Sequence, residues 1–197
     1  ERAVAGTVQW LKREMWAGYF YAAQDADNFV TSDDAEPEEG AFYVWRETDL
    51  RNTLTDAEFA GLSSDFHISA EGNFEGNIVL QRQRPGQLTP ETEAALKKLF
   101  TIRYGQSELT TFAPAIDAEA AKNTAWPGRI PPVTDTKMIV AWNSLMISGL
   151  ARAAAVFGHT DYLELAVQSA QFILNNQWIN GRLHRLNYDG TPSVFAQ

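Results

Sequence analysis

A mainly α-helical fold, built of helix pairs joined by short links with small β-hairpins on the loops, is what the 197-residue sequence predicts. Three observations carry this expectation. Apolar residues recur at helical spacing over long stretches, as in Ile139, Trp142, Met146, Leu150, Ala153 and Phe157. Start and stop residues bracket those stretches. The two longest periodic segments are separated only by Gly158 and His159, a link that forces an antiparallel helical hairpin.

Val4, Val8, Leu11 and Met15 form the first stripe, at i, i+4, i+7 and i+11, and Gly18 ends that helix. No capping residue precedes it, so the chain reads as opening inside a helix and as part of a longer protein. The aromatic run 19–27 is strand-like, as is 41–45, and the two are expected to pair around the polar loop 31–40. Two short helices follow at 47–54 and 56–66. Thr55 and Glu58 form a capping box for the second, with Phe59, Leu62 and Phe66 on one side. Segment 72–76 is a glycine-bracketed turn. Thr89-Pro90-Glu91 opens a helix with a cap, a proline and an early acid, and Gly105 closes it. A helix is expected over 114–123, with Pro114 at its start, and Pro127, Gly128, Pro131 and Pro132 then forbid regular structure. Thr134 or Asp135 should cap the long helix that ends at Gly158. Thr160 caps the next, whose stripe is Leu163, Ala166, Val167, Ala170, Ile173, Leu174 and Trp178. Turns at Asn180-Gly181 and Asp189-Gly190 flank a strand over 182–188. No linker divides the chain into two domains.

Composition narrows the function. Hydrophobic residues make up 45% and charged residues 21%, a globular balance that argues against extensive disorder and fibrous repeats. Asp plus Glu is 25 against 16 Lys plus Arg, a net charge of −9, which disfavours nucleic acid and anionic membrane surfaces as partners. With no cysteine there is no disulfide framework, thiolate site or cysteine nucleophile. Purely apolar runs are short, so neither a membrane span nor a signal-peptide core is expected, and a cytoplasmic location follows as the expectation. Serine-nucleophile and dinucleotide signatures are absent, and no cofactor is expected.

Five motifs stand in order: Tyr19-Phe20-Tyr21-Ala22-Ala23-Gln24-Asp25-Ala26-Asp27; Glu38-Glu39-Gly40-Ala41-Phe42-Tyr43-Val44-Trp45; Glu71-Gly72-Asn73-Phe74-Glu75-Gly76; Asp135-Thr136-Lys137 with Ala141-Trp142-Asn143-Ser144-Leu145-Met146; and Asn180-Gly181-Arg182-Leu183. The set resembles the thioredoxin-domain-containing family of spermatogenesis-associated protein 20 and its bacterial relatives. Two positions depart from that pattern: Thr136, where the family usually has a second aspartate, and Ser144, where it usually has glycine. The resemblance implies a thioredoxin-like domain followed by an (α/α) toroid similar to those of six-hairpin glycosidases and N-acylglucosamine 2-epimerases. Residues 1–197 would then be a partial toroid of helical hairpins, with the thioredoxin-like domain before it and the closing hairpins after it. The implied function is a carbohydrate-related enzyme-like domain, of sugar epimerase, isomerase or glycosidase type. The alternative is a non-catalytic toroid that binds proteins or presents substrates to the thioredoxin-like domain. The fragment itself is expected to be inactive, and to self-associate through Val4, Val8, Leu11 or the 163–178 stripe.

Candidate site residues follow from this reading. Asp25 and Asp27 are the candidate catalytic carboxylates, since neighbouring acids can separate into proton donor and acceptor. Asp33, Asp34, Glu36, Glu38 and Glu39 continue the acidic stretch. It lacks the glycine and terminal glutamate of a calcium loop, and it also reads as a solvated loop. Trp142 and Asn143 are candidate sugar contacts, the indole as a stacking platform and the amide for hydroxyls; packing is the alternative for both. Asp135 and Lys137 would flank the cleft, or Asp135 simply caps a helix. His67, His159 and His184 lack metal-ligand spacing, so no metal is expected. His184 remains a candidate acid–base group only by analogy with the epimerases.

Overall fold

The computed structural model describes residues 1–193, and they are mainly helical with small antiparallel sheets. In chain order the elements are α1 (Arg2–Glu14), β1 (Ala23–Gln24), β2 (Asp27–Asn28), β3 (Glu38–Glu39), α2 (Glu47–Thr53), α3 (Asp56–Asp65), α4 (Pro90–Tyr104) and α5 (Ala118–Asn123). Then come β4 (Thr134–Asp135), β5 (Met138–Ile139), α6 (Val140–Phe157), α7 (Thr160–Asn176), β6 (Trp178–Ile179), β7 (Arg182–Leu183), β8 (Leu186–Tyr188) and β9 (Thr191–Pro192). They form two compact units, each discontinuous in sequence: residues 1–25, 110–116 and 133–197 in one, 26–109 and 117–132 in the other.

The first unit is organised by the α6–α7 hairpin and α1. Val8, Leu11 and Met15 pack with Leu150 of α6, Tyr162, Leu165 and Ala166 of α7, and Phe20. Val8 and Leu11 are only 3% and 4% exposed, so they are spent on this core and offer no face for self-association. On α7 the buried side is Tyr162, Leu165, Ala166, Ser169 and Ile173. This corrects the expected stripe: Leu163, Val167 and Leu174 lie on the outer side. Both sides of α7 carry aliphatic residues, so periodicity alone could not choose the inner one.

The start of α6 also differs from expectation. Thr134 and Asp135 are strand residues paired with Gln24 and Ala23, and Met138–Ile139 pairs with Leu186 and Asn187. The helix therefore opens at Val140 behind Ile139, with no side-chain cap, and Asp135 caps nothing. Strand pairing consumed the segment that local propensity assigned to a helix start. Likewise His159, not Thr160, takes the cap position of α7. At 18 residues with mean hydropathy 1.3, α6 is long and apolar enough to cross a membrane by length and composition, contrary to the expectation from its short apolar runs. Core helices meet the same measure, and Leu150 and Asn143 are packed inside the unit. The last two hairpins turn at Asn180-Gly181 and Asp189-Gly190, all four at positive φ, as type I′ turns require. They make two short strand pairs in place of the single strand expected.

In the second unit α3 packs on α4 around Leu50, Leu54, Leu62, Phe66, Ile78, Ala95 and Leu99. The capping box is present in full: the Thr55 side chain accepts from Glu58 N–H, and Glu58 accepts from Thr55 N–H at 2.8 Å. Thr89 caps α4, Pro90 opens it and Gly105 ends it in the left-handed region. The helix expected from Pro114 is the shorter α5, capped by Asp117; Ala115 instead bridges Val133 within the first unit. The hairpin also forms earlier than expected, between Asp27–Asn28 and Glu38–Glu39. Residues 41–44 turn instead, with Tyr43 and Val44 N–H both donating to the Gly40 carbonyl.

Glu58 carries a testable pH signature. Its hydrogen bond from Lys98, then the one from Thr55 N–H, holds its carboxyl below the usual range. A carboxylate whose folded pKa is depressed contributes stability above its unfolded value and loses it as pH falls through the folded value. In an NMR titration Glu58 should therefore titrate below the unfolded reference, and Lys98→Ala should move it back upward.

Candidate functional site

Asp25, Asp135, Lys137, Trp142 and Asn143 all belong to the first unit, and Asp27 to the second. The β1–β4 pair sets Asp135 opposite Ala23, and Asp25 N–H donates to the Val133 carbonyl at 2.8 Å. Asp25 and Asp135 thereby line one open groove of about 380 Å³, with Gln24, Ile116, Thr134 and Thr136 among its walls. Both acids are exposed. Asp135 is engaged on both oxygens: Oδ1 accepts from Lys137 N–H at 3.1 Å, and Oδ2 pairs with Lys137 Nζ. That pair holds the Lys137 ammonium above its ordinary pKa. Tyr19 and Tyr21 stand nearby in the fold, their phenols pushed up by burial and by the Asp189 carboxylate; the Tyr19 hydroxyl donates to the Thr136 carbonyl. Neither Trp142 nor Asn143 lines this groove.

Asn143 is only 2% exposed. Its Oδ1 accepts from Phe20 N–H at 2.8 Å and from the Ser169 hydroxyl at 3.2 Å. Its Nδ2 donates to the carbonyls of Phe20 at 2.9 Å and Ile139 at 3.2 Å. An amide has two donors and two acceptor sites, and all four are used. Asn143 therefore clamps the non-helical Phe20 segment to α6 and α7, and has no hydrogen-bonding capacity left for a sugar. Trp142, its neighbour, is 55% exposed, because adjacent positions on a helix point about 100° apart. The two do not form one stacking-and-bonding site.

Asp27 sits in β2 directly across from Glu39, and the acidic loop that follows is largely solvated. Within it, Asp34 accepts from the Val30 and Thr31 amides and the Thr31 hydroxyl, an arrangement that lowers its pKa. His184 is used structurally: Nδ1 donates to the Ser193 carbonyl at 2.6 Å. No group of three or more His, Asp or Glu able to hold a metal occurs among the described residues.

Two arrangements gave no local sequence signal. Glu14 is buried, ion-paired with Arg13 at 2.7 Å and bonded by Gln24 at 3.2 Å. In the second unit, Arg129 lies 4.0 Å over the Trp45 ring, and its Nη1 donates to the carbonyls of Ala41, Phe42 and Val44 at 2.7–3.1 Å. The Pro-Gly stretch before it makes this possible. Arg129 N–H donates to the Arg103 carbonyl, and a Cβ on Gly128 would stand 2.3 Å from that same oxygen. Only glycine admits so close an approach.

The folded chain is thus a mainly helical protein of paired helices, carrying an open acidic groove and several buried polar clamps. Its sequence is similar to spermatogenesis-associated protein 20 of Homo sapiens, 29% identical over 94% of this chain, and to the Mus musculus protein of the same name, 27% identical over 98%. An uncharacterized protein of Caenorhabditis elegans is 30% identical over 91% of the chain. These similarities support the spermatogenesis-associated protein 20 family as the one the motifs resemble. The chain spans about a quarter of the length of these curated relatives. No family model matches it.

Proposed function

We propose that this chain is a non-catalytic helical module of a longer protein, acting by binding another protein surface. The observation that carries the reading is the exposed apolar surface of the α6–α7 hairpin. Trp142, Leu145 and Val156 on α6, and Leu163, Val167 and Leu174 on α7, are each 45% exposed or more. Large aliphatic residues clustered on one hairpin normally meet a partner surface. The four hydrogen bonds that engage Asn143 leave it none for a sugar, which weighs toward binding over catalysis. On this reading the helix pairs are one arc of an (α/α) toroid, and the face docks a thioredoxin-like domain or another protein. ANS fluorescence tests the claim. The dye should bind the folded chain, and Leu174→Glu should reduce that binding while leaving the melting temperature nearly unchanged. A folded chain that binds no dye contradicts it.

A second reading rests on a separate observation, the groove shared by Asp25 and Asp135. A carboxylate pair in one groove suits acid–base work on a carbohydrate, with Asp135 oriented by its ion pair to Lys137. In the intact longer protein, Asp25→Asn and Asp135→Asn would each lower turnover of any sugar it converts by ~10²-fold or more. Unchanged turnover in both variants eliminates this reading.

A further inference from the structure

We propose that the cavity beside Trp45 in the second unit is a binding site for a small hydroxylated carboxylate, its acid group held by Arg129 and Arg46. The cavity measures about 300 Å³, within the range of small-ligand sites, and Asp34, Glu38 and Asp49 share its walls with these residues.

Four features of this place fit such a ligand. The Arg129 guanidinium is fixed by three backbone carbonyls, all on Nη1, and by the indole beneath it. Its Nε and Nη2 make no hydrogen bond among the described residues. That edge presents two parallel N–H groups, the geometry that pairs bidentately with a carboxylate. Arg129 also has no carboxylate within ion-pair distance among the described residues, although it is mostly buried. Burial lowers its pKa to about 10, which leaves it cationic at neutral pH. Asp49 offsets part of that shift from a distance, and an anionic ligand would give the guanidinium the direct carboxylate partner it lacks.

The second feature is Trp45 itself, only 2% exposed and fixed in place beneath Arg129. Its ring borders the cavity and lies under the guanidinium, so a carboxylate bound to Arg129 would sit beside an apolar surface that strengthens the pairing. Third, Arg46 is exposed at the same cavity, and its side chain makes no hydrogen bond or ion pair among the described residues, so its charge is available. Fourth, the carboxylates of Glu38 and Asp49 on the same walls accept hydrogen bonds only. They suit the hydroxyls of the ligand and would repel a second anionic group. Arginines for the acid and carboxylates for the hydroxyls together select a hydroxylated monocarboxylate over a simple anion or a neutral polyol.

Isothermal titration of the full chain with gluconate tests this, with glucose, acetate and inorganic phosphate as comparison probes. Gluconate should bind saturably, and the three comparison probes at least about tenfold more weakly. Arg46→Ala should weaken gluconate by about tenfold or more without changing the circular dichroism, since Arg46 opens α2 through its backbone carbonyl, which alanine keeps, and its side chain makes no cap hydrogen bond. Arg129→Lys keeps the charge and loses the planar fork, and should weaken binding further; where that variant fails to fold, Arg46→Ala decides. Absence of saturable gluconate binding overturns the proposal. Binding unchanged by Arg46→Ala, or phosphate or acetate binding as tightly as gluconate, overturns it equally.

Discussion

Leu150→Ala is expected to lower the unfolding free energy by ~2–5 kcal/mol, as a large-to-small change in a core that cannot fully collapse. Leu150 is 3% exposed at the point where α1, α6 and α7 meet, packed with Val8, Leu11 and Leu165. Removing its isobutyl group takes contacts from three helices at once. Glu36→Ala, in the solvated acidic loop, should cost less than about 0.5 kcal/mol. Urea denaturation of the two variants beside the parent chain measures both. Equal midpoint shifts would mean that Leu150 is not a core residue.

Asn143→Ala should cost about 2 kcal/mol or more, by a different physical route. It deletes four hydrogen bonds and leaves the Phe20 N–H and carbonyl, together with the Ser169 hydroxyl, inside the unit without their partner. The cost of orphaned buried polar groups exceeds the net value of the bonds themselves. A sugar-holding asparagine would behave in the opposite way: its removal would leave stability intact and weaken ligand binding. Thermal and urea unfolding of Asn143→Ala thus separates a clamp from a contact. A variant as stable as the parent chain contradicts the clamp.

The contrast between what the sequence revealed and what it concealed follows the range of the interactions. The Thr55–Glu58 capping box, the Thr89-Pro90 start and the Gly105 stop were legible because each is satisfied within a few residues. So were the turns at Asn180-Gly181 and Asp189-Gly190, whose backbone angles demand those residue types. The start of α6 was misread because Thr134–Asp135 pairs with Ala23–Gln24, more than a hundred residues away, and no local propensity announces that ladder. The same distance hid the role of Asn143, whose main partner is the backbone of Phe20. On α7 the pattern was ambiguous in itself, with Tyr162, Leu165 and Ile173 on one side and Leu163, Val167 and Leu174 on the other. Two units that exchange chain segments leave no linker to read. Of the candidate site, the acids Asp25 and Asp135 do share a groove, while Asp27 lies in the other unit and Asn143 is spent on structure. Arg129 was invisible because its partners are backbone carbonyls some 85 residues earlier, which carry no side-chain signature.

The binding-module account rests on the exposed apolar residues of the α6–α7 hairpin, and sedimentation velocity over a wide concentration range examines it most directly. With no partner present, those residues should drive the isolated chain to self-associate as concentration rises. Leu145→Glu and Leu174→Glu together should hold it monomeric, because two charges cannot be buried without counter-charges at low cost. A parent chain that stays strictly monomeric at high concentration, or a double variant that associates as readily as the parent, would contradict the account.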